Sequence, residues 1–158
     1  MRLLFTVEEE AELRQIISTA EAHTSGEIRI FIENESDTEP VKRTLALFKR
    51  YKMYKTRHRN AVLIYIAVRS RHFYIYGDEG IYTKTGQQVW DQAVEKMRLH
   101  FAKDQYLEGL REAIQEIGTR LKQFFPAIDG ENPNELSDEI LYNDWSDEKT
   151  KLHFTESH

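Results

Sequence analysis

The sequence predicts an α/β domain whose mixed sheet contains a β-α-β crossover and a β-hairpin, with about four main helices packed on it. Three observations carry this reading. Ile28, Ile30 and Ile32 alternate with Glu27, Arg29, Phe31 and Glu33, the period of two expected of a strand. Ala61 to Val68 is a nearly unbroken apolar run, as a central strand covered on both faces requires. The segments before, between and after these runs place apolar residues at spacings of three and four, as helices do.

Each element has its own local reason. Thr6-Val7-Glu8-Glu9 reads as a capping box, with a hydroxyl at the N-cap and a carboxylate three residues on. The helix that it opens carries Val7, Leu13, Ile16, Ile17 and Ala20 on one side and ends near Gly26. The strand Glu27 to Glu33 follows, with one fully buried face expected. Asn34 to Glu39 is polar and turn-like, and Pro40 suits the first position of a second helix. That helix shows Val41, Leu45, Phe48 and Met53, and closes in a basic run.

The order strand–helix–strand makes Ala61 to Val68 parallel to the first strand through a right-handed crossover. Arg69-Ser70-Arg71 is too short for anything but a hairpin into His72 to Tyr76. Thr85 with Gln88 reads as a second capping box, opening a helix with Val89, Trp90, Ala93, Val94, Met97 and Phe101. A last helix with Leu107, Leu110, Ile114, Ile117, Leu121 and Phe124 stops at Pro126. Residues 1–126 thus form the domain. Residues 127–158 are polar and acid-rich, with scattered Leu136, Ile140, Leu141 and Trp145, and read as a loosely packed or disordered tail.

Composition narrows the functional classes. A length of 158 residues allows one domain with a sizeable core, and a charged fraction of 31% suits a water-exposed surface. The net charge of −5 argues against a dedicated nucleic-acid binder. The absence of cysteine excludes disulfides, thiolate metal sites and cysteine nucleophiles. No run approaches the roughly 20 apolar residues of a membrane span, and the first residues lack a signal-peptide pattern, so the expectation is a cytoplasmic monomer.

The candidate site follows from topology. With the first two strands parallel and the third antiparallel, Ser25-Gly26-Glu27, Arg59-Asn60 and Gly77-Asp78-Glu79-Gly80 converge on one rim of the sheet. The start of the next helix, with Trp90 and Asp91, hangs over the same rim. Glu27, Asp78, Glu79 and Asp91 then crowd together, and carboxylates about 4 Å apart repel by roughly 1 to 4 kcal/mol per pair. A proton, an arginine or a cation relieves that repulsion. An all-oxygen set without His or Cys favours Ca²⁺, with Mg²⁺ as the alternative. The competing reading is that Asp78-Glu79-Gly80 is only a turn.

From Phe5 to about Pro126, together with Asn134-Glu135-Leu136, the chain resembles the TPM domain family. Ser25-Gly26-Glu27-Ile28, Arg59-Asn60-Ala61-Val62-Leu63-Ile64, Gly77-Asp78-Glu79-Gly80-Ile81, Trp90, Phe101 and Tyr106-Leu107-Glu108-Gly109-Leu110 carry the resemblance, through their order and spacing. It implies a three-layer α/β/α sandwich and a divalent-cation site in an acidic cleft at one edge of the sheet. Asp78, Glu27, Asp91 and Glu79 would be ligands there, with Asn60 and Trp90 as supporting neighbours. The family includes a plant thylakoid member credited with acid phosphatase activity and others that serve as accessory factors of membrane protein complexes. Its members often carry a signal peptide and a membrane anchor, and the sequence shows neither.

Other features read first as structure. Lys49 to Arg59 interleaves basic residues with Tyr51 and Tyr54, a pattern of nucleic-acid patches but equally of a solvated helix end. His58 lacks an evident partner. Trp90, Val94, Met97 and Phe101 make a core stripe, and Ser25 lacks the surroundings of a nucleophile elbow. Two functions remain: a Ca²⁺-binding accessory module that presents a surface to a protein partner, or a metal-assisted acid phosphatase.

Overall fold

Residues 4–129 and 139–143 are described by a computed structural model of the chain. In chain order the elements are α1 (Val7–Glu21), β1 (Glu27–Glu33), α2 (Pro40–Arg50), β2 (Ala61–Ala67), β3 (His72–Gly77), α3 (Glu79–Thr85), a 3₁₀ turn (Gln87–Trp90), α4 (Asp91–Phe101), α5 (Tyr106–Phe124) and β4 (Leu141–Tyr142). The sheet has the order β3-β2-β1-β4. β1 and β2 run parallel with Glu27 opposite Ala61, and β3 returns antiparallel with Gly77 opposite Val62. This is the predicted mixed sheet, with both its crossover and its hairpin.

Alternation of side chains between the two faces of the sheet explains the layers. Ile28, Ile30 and Ile32 join Val62, Ile64, Ile66 and Ile75 under helices α1, α4 and α5, where Leu13, Ile17, Met97, Ile114 and Ile117 cover them. An isoleucine fully withdrawn from water contributes about 2 kcal/mol. On the other face Phe31, Leu63 and Tyr65 lie beneath Leu47 and Phe48 of α2 and Met53 of the loop after it. Helices on both faces make the α/β/α sandwich. All seven residues of β1 are buried, so Glu27, Arg29 and Glu33 are enclosed as well. In α2 the buried residues are Thr44, Leu47 and Phe48, whereas Leu45, expected in the core stripe, is 42% exposed.

The local signals at the ends of α1 and α2 operate as expected. Thr6 Oγ1 accepts from the Glu9 amide at 3.1 Å, and Glu9 Oε1 accepts from the Thr6 amide at 2.9 Å. Glu39 caps α2 through the Val41 and Lys42 amides, ahead of Pro40 at its first turn.

The expected helix start at Thr85 does not hold. Thr85 is the last residue of α3, and its hydroxyl donates to the Ile81 carbonyl at 3.0 Å instead of accepting from an amide. Gly86, at φ 75°, breaks the helix, and the 3₁₀ turn carries no side-chain cap. The Asp78-Glu79-Gly80 segment is accordingly not only a strand-end turn: Asp78 is the N-cap of α3.

Within the stretch 127–158, expected as a loose tail, Leu141–Tyr142 pairs in parallel with Phe31 and Ile32, and the Asn143 amide donates to the Ile32 carbonyl at 3.1 Å. Leu136 and Trp145 lie outside the described residues. No helix among the described residues is long and apolar enough to cross a membrane.

Candidate functional site

The convergence deduced from topology is present at the rim where β1 and β2 begin and β3 ends. Main-chain hydrogen bonds tie the three loops together: the Glu27 amide to the Asn60 carbonyl (3.4 Å), the Asp78 amide to the Ala61 carbonyl (2.9 Å) and the Gly80 amide to the Arg59 carbonyl (2.9 Å). The Asn60 side chain adds a crosslink, its Nδ2 donating to Ser25 Oγ at 3.1 Å. Gly80 is required by crowding. A Cβ there would lie 2.3 Å from the His58 carbonyl oxygen and 2.5 Å from that of Arg59. Both partners are backbone and cannot give way cheaply.

Asp78 sits at the centre of the rim and is 1% exposed. Arg59 grips it in two parallel bonds, Nε to Oδ2 at 2.7 Å and Nη2 to Oδ1 at 2.9 Å. A second branch of the same guanidinium reaches Glu79 Oε1 at 3.0 Å. Asp78 Oδ1 also accepts from the Glu79 amide at 2.7 Å, at the positive end of α3. These bonds to Asp78, followed by the charges of Asp78 and Glu79, raise the Arg59 pKa, so the guanidinium is firmly cationic. Arg59 adopts the left-handed conformation at φ 50°, which costs a non-glycine residue about 1 kcal/mol. Of the three ways to relieve carboxylate crowding, the fold uses an arginine.

The remaining predicted residues divide between the interior and the outer rim. Glu27 is buried at the first position of β1, and Glu79 is exposed. Asp91 opens α4 and lines a different cleft, shared with Lys84, Gln88 and Arg120. Among the described residues no group of three or more His, Cys, Asp or Glu side chains is placed to hold a metal ion. Trp90 is core: its ring lies under Gly77, whose Cβ, if added, would stand 3.0 Å from Trp90 Cζ2. Asn60 is fully buried, and its Oδ1 accepts no hydrogen bond from the described residues.

Sequence reasoning did not foresee the pairing of Arg59 with Asp78. The signal available was position, since Arg59 lies two residues before the start of the strand that adjoins Gly77-Asp78. It also passed over Lys84, whose Nζ donates to the Phe124 carbonyl at 3.3 Å and stands 4.3 Å from the centre of the Phe125 ring. Lys84 separates the cleft bordered by Ser25, His58 and Gly80 from the one containing Asp91.

Comparison with known proteins agrees with this architecture. The model of the TPM domain family matches residues 2–120. Among solved structures, the chain is similar to the NMR structure of BA42 protein from the psychrophilic bacterium Bizionia argentinensis, with 34% identity and a TM-score of 0.85, over 90% of this chain and 98% of that one. It also shares its fold with the N-terminal domain of cg2496 protein from Corynebacterium glutamicum, at 12% identity and a TM-score of 0.60, over 74% of each chain. No curated protein matches it. On the family match, which spans well over half of its length, and on the likeness to BA42, the chain belongs to the TPM domain family.

Proposed function

We propose that the domain is a binding module that takes a divalent cation, Ca²⁺ before Mg²⁺, on the rim formed by Asp78, Glu27 and Asn60. The observation that carries this reading is the state of Asp78. It is a buried carboxylate neutralised by a guanidinium whose side chain is 38% exposed and therefore free to turn outward. A cation that replaces Arg59 gains a carboxylate already desolvated and fixed in place. The Asn60 Oδ1 and the crowded His58 and Arg59 carbonyls are further hard donors at the same rim. Glu79 and Asp91 contribute negative potential from outside. Ca²⁺ takes about 6–8 oxygens, so main-chain carbonyls and water complete a shell that too few carboxylates begin.

The second reading, a metal-assisted acid phosphatase, needs a cationic group to clamp the phosphoryl oxygens. In the metal-free rim Arg59 is committed to Asp78 and Glu79, so the clamp would have to be the same guanidinium that the cation displaces, which makes the enzyme the second reading.

The test is a titration of the whole chain with CaCl₂ and, separately, MgCl₂, following backbone amide shifts and melting temperature. Shifts clustered at residues 25–27, 59–60 and 77–80, with stabilisation of about 2.7 kcal/mol at a hundredfold excess over Kd, are expected. Asp78→Asn abolishes the response and Arg59→Ala enhances it, because the resident competitor is gone. A wild-type rim that ignores both ions overturns the proposal. Phosphate release from a chromogenic ester, dependent on the ion and lost in Asp78→Asn, establishes the enzyme instead.

A further inference from the structure

The charges of this chain are segregated. Between Glu39 and Asp78 lie ten Lys and Arg residues and not one Asp or Glu, whereas the rest of the chain holds all 27 acidic residues and only 12 basic ones. The topology gathers that stretch onto one flank. α2 packs over β2 and β3, and β3 is an edge strand among the described residues. Helix, loop and edge strand therefore form one surface without a carboxylate of its own, on a protein whose net charge is −5.

Two of the flank's cations are used internally, Arg43 by Glu33 and Arg59 by Asp78. Lys42, Lys49, Lys52 and Lys55 are exposed. Lys42, Leu45 and Lys49 follow one another at spacings of three and four along α2, which places them in one outward stripe. Leu45 is a large aliphatic side chain in water between two lysines. Beyond the helix the Lys52 amide bonds back to the Lys49 carbonyl at 3.1 Å, and the Lys55 amide to the Lys52 carbonyl at 3.0 Å, folding two further lysines against the helix end.

We infer that this flank docks on an anionic lipid surface. Polyanions attract such a surface in general, and its details choose among them. A single-stranded nucleic acid would need exposed rings on which bases stack. Tyr51 and Tyr54 are instead turned onto the core beneath α2, with the Tyr51 ring 6.0 Å from that of Phe31. What remains outside is aliphatic and cationic, the four lysines together with the exposed Arg50 and Arg57. Lysine stems lie along an apolar boundary while their heads reach lipid phosphates, and Leu45 enters the acyl boundary between them. The partly exposed Tyr74 on the edge strand suits the headgroup level.

The experiment is cosedimentation of the whole chain with vesicles of phosphatidylcholine alone or mixed with phosphatidylglycerol, in EDTA. The chelator keeps the result separate from any cation on the Asp78 rim. Binding to the mixed vesicles only, weakened by added salt, is expected. Each neutralised lysine near a charged bilayer weakens binding about fivefold, so the triple variant Lys49→Gln/Lys52→Gln/Lys55→Gln loses about a hundredfold. Leu45→Asp weakens binding further, and Lys96→Gln/Lys103→Gln/Lys122→Gln on the α4–α5 side leaves it intact. Circular dichroism confirms that each variant is folded. No affinity for the mixed vesicles, an equal loss in the α4–α5 control, or tighter binding to a single-stranded oligonucleotide than to the vesicles overturns the inference.

Discussion

Two buried carboxylates, one at each rim of the sheet, are both gripped by an arginine in two parallel bonds, yet they differ in what surrounds the pair. Glu33 closes β1. Arg43 Nε and Nη2 reach its two oxygens at 3.0 and 2.9 Å, the Tyr65 hydroxyl donates to Oε2, and Asn143 Nδ2 donates to Oε1 at 3.2 Å. Each oxygen has two donors, and the three partner residues come from α2, β2 and the end of β4, so that Glu33 ties β1 to three other elements. Burial, then the bond from Tyr65 to the Glu33 charge, pushes the Tyr65 pKa far up, so the phenol keeps its proton. At the opposite rim Asp78 has Arg59 and one amide, with Asn60 Oδ1 buried beside the same loops and accepting nothing from the described residues. One pair is a finished lock between four elements. The other rests on a partly exposed arginine, the group that a divalent cation displaces under the proposed function. A bidentate arginine therefore does not by itself mark a site as structural: the tally of satisfied oxygens around it decides.

The most severe way to break this comparison is Glu33→Ala. It leaves Arg43 and the Tyr65 hydroxyl facing a buried void, and unfolding in urea should report a loss of about 4 kcal/mol. Gly80→Ala attacks the other rim through packing. Its Cβ meets two backbone oxygens, and the same measurement should show a loss of about 3 kcal/mol together with a weakened response to Ca²⁺. Asp78→Asn costs less, about 2 kcal/mol, because Arg59 is partly exposed and turns to water. It should remove the calcium-induced rise in melting temperature, which the milder Tyr65→Phe at the Glu33 lock leaves in place. An Asp78→Asn protein that still responds to Ca²⁺ would show that the two rims do not differ in the way argued.

The smallest expected effect lies away from both rims and calibrates them. His100 bonds the Gln105 amide oxygen at 2.9 Å and the Glu112 carboxylate at 2.6 Å. Those contacts, Gln105 first, raise its pKa above the ordinary 6.5. A raised pKa in the folded state means that the contribution is complete below the unfolded value and fades as pH climbs through the folded one. Melting temperature should thus decline slightly as pH rises above 6.5 through the raised folded value, and His100→Gln should flatten that slope.

Much of the fold was legible because its signals are local. The Thr6–Glu9 cap, the Pro40 start, the alternating isoleucines of β1 and the apolar β2 each act through neighbours a few residues away. The convergence of the three loops was legible for a related reason. Parallel and antiparallel connections, read from linker length, dictate which loops share a rim, and Ser25, Asn60 and Asp78 do share one. What failed was where two local readings competed. Thr85 and Gln88 have the spacing of a capping box, but Asp78 opens a seven-residue helix earlier and leaves Thr85 at its end.

What the sequence determined by itself was α1, α2, α5 and the first three strands, the direction of those strands and the segregation of charge between residues 40–77 and the remainder, because these depend on periodicity and composition along the chain. Only the tertiary structure decided that Arg59 neutralises Asp78, that Leu45 faces water, and that Leu141–Tyr142 returns as a fourth strand to place Asn143 on Glu33. Those outcomes depend on which distant groups compete for the same oxygen or the same apolar surface, and that competition exists only once the layers are packed.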